Sequence, residues 1–183
     1  FGLIGSALCQ YGYYTSIQYS NAAFATVLSY TAPVMILVYT VVKEHRAPRL
    51  YELAAVLLVA LGAFSCATQF KLGALHIAPL ALIWGLLSAV AFAFYTITPQ
   101  KLIREYSLLP IVGWGMILGG IVLAFLCRPW TVAVTVNAHL FIMLAGVIFL
   151  GTICSFCFYQ AGVSIVGGLA GSILSAAEPV TSV

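Results

Sequence analysis

The chain ends on Gly167–Val183, GGLAGSILSAAEPVTSV, and this stretch repeats the pattern of Asn21–Val34, NAAFATVLSYTAPV. A single ungapped shift relates the two stretches and carries the likeness upstream into the preceding helix. The pairs that it matches are Gly5 and Gly151, Ser6 and Thr152, Tyr13 and Tyr159, Ile17 and Val163, Ala25 and Gly171, Thr26 and Ser172, Val27 and Ile173, Leu28 and Leu174, Ser29 and Ser175, Pro33 and Pro179, and Val34 and Val180. Self-similarity of this kind indicates that a helix pair has been duplicated, with the rest of the chain between the copies.

Composition places the chain in a membrane. It is 63% hydrophobic and 6% charged, whereas soluble domains have about 45–50% apolar and about 25% charged residues. Because so few charged residues could not cover a surface that faces water, we expect the lipid bilayer to surround the chain. The apolar runs are long and continuous, which favours helices over barrel strands of about 10 alternating residues. The net charge of +3 is scattered along the chain, which excludes nucleic acid as a partner.

Seven apolar segments predict an all-α, polytopic transmembrane helix bundle. Most approach the roughly 20 residues that a bilayer requires, and a span in lipid must satisfy its own backbone polar groups. We place them at about 1–19, 22–42, 51–70, 78–99, 109–127, 140–166 and from 167 onward, the seventh being truncated.

Basic loops predict the orientation of the spans. Lys43, Arg46 and Arg49 follow the second span, and Lys101 and Arg104 follow the fourth. Basic loops stay on the cytoplasmic side. The duplicated spans lie five spans apart, and because five is odd the copies cross the membrane in opposite directions. The sequence therefore predicts an inverted repeat, an architecture typical of transporters whose substrate site lies near the bilayer midplane.

Three motifs resemble those of a known family. The first copy, with A-T-V-L-S-x-x-x-P-V and a span ending at Glu44, is similar to the third and fourth helices of an EamA-type repeat. LIWGLLSAVAFAFYTITPQKL, which contains Trp84-Gly85, resembles the first helix of a second repeat, and AGSILSAAEPVTSV resembles the ninth helix. The chain thus resembles EamA-type transporters of the drug/metabolite transporter (DMT) superfamily.

The resemblance implies ten helices in two inverted five-helix repeats, with both termini of the full protein in the cytoplasm and a bacterial inner (plasma) membrane location. Residues 1–71 would be the end of the first repeat, and residues 72–183 the second repeat, truncated. It also implies a secondary transporter that exports small organic solutes such as amino acids, metabolites or drugs by alternating access. The alternative is a non-transporting helix bundle built for interaction between helices.

The substrate class follows partly from charge. No Lys or Arg lies deep within a span, and a phosphorylated solute would need such a cation. We therefore expect a neutral or amine-bearing small-molecule solute. The chain has no Asp and no Ser/His/Asp set, so we expect neither an enzyme nor a cofactor or metal. Coupling to protons and the oligomeric state stay open at this point.

Glu178 is the strongest candidate site residue, because it is the only acidic residue inside an apolar span. It lies ~11 residues, or ~16 Å, into its helix and so near mid-bilayer. A charge there costs about 2.5–3.5 kcal/mol and usually marks a pathway. Glu178 is either a coupling carboxyl or amine contact, or a structural carboxyl. Pro33 and Pro179 each remove a backbone hydrogen bond, and they serve either as hinges at the site or as packing kinks.

Polar and aromatic residues within the spans complete the candidate pathway. Ser29 and Ser175 are expected to line it, whereas Thr26 and Ser172 are expected to pack against neighbouring helices, as small residues do in lipid. The aromatic candidates, which either line the pathway or contact lipid and neighbouring helices, are Tyr13, Tyr159, Trp84 and Tyr95.

Overall fold

The structure is a computed structural model that describes residues 2–68, 78–131 and 137–177. Within these ranges every regular element is a helix, as the apolar runs predict. The α-helices are α1 Leu8–Tyr19, α2 Ala22–Ser29, α3 Ala32–Glu44, α4 Leu50–Thr68, α5 Pro79–Ile97, α6 Pro99–Tyr106, α7 Leu108–Cys127, α8 Ala138–Gly146, α9 Ser155–Val166 and α10 Gly168–Ser175. A π-helical segment precedes α1 at Gly2–Ala7 and another precedes α9 at Val147–Cys154, and a 3-10 turn covers Pro129–Thr131.

Four helical stretches of the described chain are long and apolar enough to cross a membrane. They are Ala22–Glu44, Pro79–Ile97, Leu108–Cys127 and Ala138–Val166. Leu50–Ser65 is a shorter apolar helix. Each of the five falls on one of the apolar segments marked in the sequence.

Small residues are prominent in the interior, while many large apolar side chains face outward. Ala25, Ala32, Ala81 and Ala89 are 0% exposed, whereas the side chain of Phe149 is 63% exposed. A soluble protein buries its large apolar residues. In lipid no hydrophobic effect drives helices together, so small residues that allow close approach form the contacts. The arrangement is therefore the one expected of helices surrounded by lipid.

Helices α1 and α5 share the most extensive contact between elements of the described chain. A Cβ atom added to Gly12 would lie 3.0 Å from the carbonyl oxygen of Trp84 and 3.2 Å from Cβ of Ser88, so only glycine fits without a shift. Two serines also bond across the contact. The Ser16 hydroxyl donates to the carbonyl oxygen of Ala81 (2.8 Å), and the Ser88 hydroxyl to that of Cys9 (2.9 Å).

The second span is interrupted before Pro33. Helix α2 ends at Ser29 and α3 begins at Ala32, which places Pro33 in the first turn of α3. Because proline has no N–H, the span lacks one helical hydrogen bond at this point. Whether the interruption serves as a hinge or as a packing kink stays a prediction.

The sequence duplication reappears in the secondary structure. The shift that matches Tyr13 to Tyr159 maps α2 (Ala22–Ser29) onto α10 (Gly168–Ser175) at both ends. The helix before each of these, α1 and α9, has 12 residues and follows a π-helical segment. The two copies therefore share the positions of their helix breaks as well as residues.

Candidate functional site

A cavity of about 780 Å³ lies between the two copies. In the first copy its walls come from the first π-helical segment, α1, α2 and the start of α3. In the second copy they come from the second π-helical segment, α9 and α10, and α5 completes the lining. The volume is within the range of about 300–1,000 Å³ that small-molecule sites occupy.

Equivalent positions of the two copies line this cavity. Under the shift that places Tyr13 on Tyr159, six matched pairs have both members among the lining residues. These pairs are Gly5 and Gly151, Cys9 and Ser155, Gln10 and Phe156, Tyr13 and Tyr159, Thr26 and Ser172, and Ser29 and Ser175. The cavity therefore follows the internal repeat of the sequence.

Each copy's matched tyrosine is fixed by a hydroxyl partner. Tyr13 Oη lies 3.1 Å from Thr26 Oγ1, within the first copy. Tyr159 Oη lies 2.9 Å from Thr96 Oγ1, which belongs to α5. Tyr159 also stacks on Tyr95, with ring centroids 6.2 Å apart. These contacts place three of the four aromatic candidates at the cavity.

The fourth aromatic candidate, Trp84, lies elsewhere. Its ring meets Tyr11 edge-on at a centroid distance of 5.4 Å, and neither residue is among those that line the cavity. Trp84 precedes Ser88, the first residue of α5 on the cavity wall, by one helical turn. The structure therefore gives Trp84 a packing contact and no place on the cavity wall.

Of the remaining candidate residues, some line the cavity and the others lie outside the residues that the structure describes. Pro33, Ser29 and Ser175 line the cavity. Glu178 and Pro179 lie outside the described residues.

Gln160 forms a buried link between α9 and α5 that the sequence analysis missed. Its side chain is 0% exposed. Its Nε2 donates to the carbonyl oxygen of Tyr95 (3.0 Å), and its Oε1 accepts from Gln100 Nε2 (3.0 Å). Pro99, four residues after Tyr95, has no N–H for that carbonyl. Gln160 thus supplies the donor that Pro99 lacks. The available signal in the sequence was a polar residue inside one apolar span together with a proline in another.

The described charged groups lie away from the cavity. None of its described lining residues is charged. At the link between α3 and α4, the Arg46 guanidinium donates to Glu44 (2.5 Å) and to both carboxylate oxygens of Glu52 (2.6 and 2.8 Å). The hydrogen bonds to Glu52, and then those to Glu44, raise the pKa of Arg46 above its ordinary value.

Together these features define a polytopic bundle of membrane helices that encloses a cavity between two related helix pairs. The EamA-like transporter family matches residues 1–68 and 79–183, and the chain belongs to this family. The resemblance stated from the motifs and the all-helical fold are thereby confirmed. The family is one of transporters and not of enzymes, in agreement with the prediction from the sequence.

The chain is also similar to a bacterial protein, the uncharacterized inner membrane transporter YicL of Salmonella typhimurium (strain LT2). The two are 35% identical over 182 residues, which cover 100% of this chain and 61% of that protein. The chain therefore spans less than two thirds of its relative's length. No solved structure matches the chain.

Proposed function

We propose that the protein containing this chain is a secondary transporter of the bacterial inner membrane that exports small organic solutes by alternating access. The observation that carries the proposal is the cavity, which both copies line at equivalent positions. Membership of the EamA-like transporter family supports it. So does the printed name of the relative, an inner membrane transporter.

Alternating access in this proposal depends on an inverted repeat. The copies are separated by an odd number of spans, so their directions across the bilayer are opposite, and a site at the interface of such repeats can be exposed to either side in turn. We assign residues 1–71 to the first repeat and 72–183 to the second, with the cytoplasmic side at the loops of Arg46 and Arg104. Labelling of engineered cysteines should find the loops before Ala22 and after Val166 on opposite faces of the membrane. Finding them on one face would remove the inverted repeat.

A glycine on the cavity wall gives a direct test of transport through the cavity. Gly151 lines it, and an added Cβ would meet no atom closer than Val147 Cγ1 at 3.9 Å. Gly151→Leu should therefore fold normally but fill the space that a solute needs. Gly146 belongs to the same continuous helix, meets nothing within 4 Å and does not line the cavity, so Gly146→Leu is the matched control.

The measurement is efflux of a panel of amines, amino acids and neutral drugs from cells that make the full-length protein. We expect Gly151→Leu to abolish efflux and Gly146→Leu to preserve it. Equal efflux in both variants would show that solutes do not pass through this cavity. A panel in which no solute moves would favour the alternative of a non-transporting helix bundle.

Glu178 is proposed as the coupling carboxyl, on the basis of its position in the sequence alone. Neutralising it in Glu178→Gln should stop uphill export while leaving downhill exchange, if protons drive the cycle. Pro179→Ala should slow both, since its position matches Pro33 in the first copy. Normal transport in both variants would remove these two residues from the pathway.

A further inference from the structure

Six of the described serine and threonine hydroxyls on the cavity wall have already donated their protons. A hydroxyl has one donor and two acceptor lone pairs, and most of those on the wall donate to a backbone carbonyl. The pairs are Thr26 to Ala22 (2.7 Å), Ser29 to Ala25 (3.0 Å), Ser88 to Cys9 (2.9 Å), Ser155 to Leu150 (3.0 Å), Ser172 to Leu169 (2.8 Å) and Ser175 to Ser172 (2.8 Å). What these oxygens have left for a solute is the capacity to accept.

The two matched tyrosines are committed in the same way. Thr26 gives its proton to Ala22, so the proton in the contact between Tyr13 and Thr26 comes from Tyr13. Thr96 gives its proton to the carbonyl oxygen of Phe92 (2.9 Å), so Tyr159 donates to Thr96. Neither phenol has a proton to offer in the cavity.

Among the described residues, the second copy's side of the cavity consequently accepts hydrogen bonds and donates none. We call it the α9–α10 wall and define its polar groups as Ser155, Tyr159, Ser172 and Ser175. Every one of these four hydroxyls has its proton committed. Ser172 is 0% exposed, which leaves the other three oxygens for a solute. On the first copy's side, the lining residues Ser6 and Gln10 have side chains that carry donor groups.

We infer that the α9–α10 wall binds the ammonium group of an organic amine and discriminates against carboxylates; the inference rests on the proposed function of the cavity. An ammonium group carries donors and no acceptor, so it matches oxygens that can only accept. The faces of the lining aromatic rings are electronegative and also attract cations. A carboxylate at this wall would face lone pairs and ring faces, with no donor to replace its lost water.

The test uses purified full-length protein and two probes of similar size, 2-phenylethylamine and phenylacetate, at neutral pH. Affinity is measured by calorimetry and transport in proteoliposomes. We expect the amine to bind at least about tenfold more tightly, the contribution of one hydrogen bond to a charged group. A carboxylate that binds as tightly as the amine, or a cavity that binds neither, would overturn the inference.

Serine variants separate recognition from folding. Ser155→Ala combined with Ser175→Ala removes two acceptors of the wall and should lower the ratio of amine to carboxylate affinity about tenfold. Ser164 is the matched control, because its hydroxyl makes the same kind of bond, to the carbonyl oxygen of Ala161 (2.7 Å), away from the cavity. Ser164→Ala should leave the ratio unchanged. Loss of folding alone would change the amount of active protein but not this ratio, so an unchanged ratio in the double variant would refute the role of the wall.

The outcomes also separate this inference from the proposed function. Transport of the carboxylate in preference to the amine would leave a transporter standing and remove the ammonium site. Selective binding of the amine without any passage across the membrane would support the site and remove the transporter.

Discussion

Replacing Gln160 by leucine should destabilise the bundle because it removes a buried hydrogen bond to a backbone carbonyl. Leucine keeps roughly the volume of glutamine but removes the donor to the carbonyl oxygen of Tyr95, which Pro99 cannot replace. Gln100 loses its bond to Gln160 as well, but its Nε2 still donates to the carbonyl oxygen of Thr96 (3.1 Å). The main cost of Gln160→Leu is therefore the lost bond to the carbonyl oxygen of Tyr95.

Two general magnitudes bound this cost. A buried group left without its hydrogen bond costs about 1–3 kcal/mol. Hydrogen bonds between membrane helices measure lower, about 0.6 kcal/mol on average and about 1.7 at most, because the unfolded chain in the membrane also finds partners. Pro99 supplies no N–H to the Tyr95 carbonyl in place of Gln160, so we expect about 1–2 kcal/mol, toward the upper end of the membrane range.

A second substitution tests the reason for the loss. Thr98, between α5 and α6, has helical backbone angles (φ −63°, ψ −44°), so alanine at position 99 would direct its N–H to the Tyr95 carbonyl. In a Pro99→Ala background the carbonyl keeps a donor, and Gln160→Leu should cost about 1 kcal/mol less than in the natural background. The free energy of unfolding of all four combinations is measured by titrating the full-length protein in mixed micelles with a denaturing detergent. If Gln160→Leu costs the same in both backgrounds, the proline-dependent explanation is wrong.

Three further changes have defined outcomes. Gly12→Leu should lower stability by about 1–3 kcal/mol through overpacking against α5. Gly62→Leu is the control and should have little effect, because nothing lies within 4 Å of its Cβ position. Both variants are measured by thermal unfolding, and equal losses would refute the close contact. Asn137 caps α8 by accepting from the N–H of Leu140 (2.8 Å), so Asn137→Ala should cost about 1 kcal/mol and Asn137→Asp much less, and a stable alanine variant would show that the cap is dispensable. Glu52→Gln weakens the hydrogen bonds to Arg46, because an amide oxygen accepts less strongly than a carboxylate. Tryptic cleavage at Arg46 should therefore be faster. Unchanged cleavage would mean that other contacts hold the link between α3 and α4.

Much of the fold and part of the cavity could be predicted from the sequence because both depend on pattern. The helices follow from continuous apolar runs, which lipid permits only as helices in a chain of this kind. The position of the cavity follows from the duplication, since Tyr13 and Tyr159 occupy the same place in two copies of one helix pair. Whether these residues contact a solute stays a prediction.

The features that escaped prediction depend on backbone atoms and on position along a helix. The partner of Gln160 is a carbonyl oxygen, and every residue has one, so no residue pattern marks it. Trp84 appeared equivalent to the other aromatic residues, but it lies one turn before Ser88, the first residue of α5 on the cavity wall, and its ring meets Tyr11. The residues at which α2 ends and α3 begins are likewise concealed by the continuous apolar run.

The link made by Gln160 has a different residue at the matched position of the first copy. The shift that relates the copies places Tyr14 there, and Tyr14 is one of the residues that line the cavity. Descent from one module has thus given the two positions different surroundings: Gln160 is buried and hydrogen-bonded to α5 and α6, whereas Tyr14 adjoins the cavity. Division of labour between the halves begins at such a position, where one sister helix is tied to its neighbours and the other contributes to the space between them.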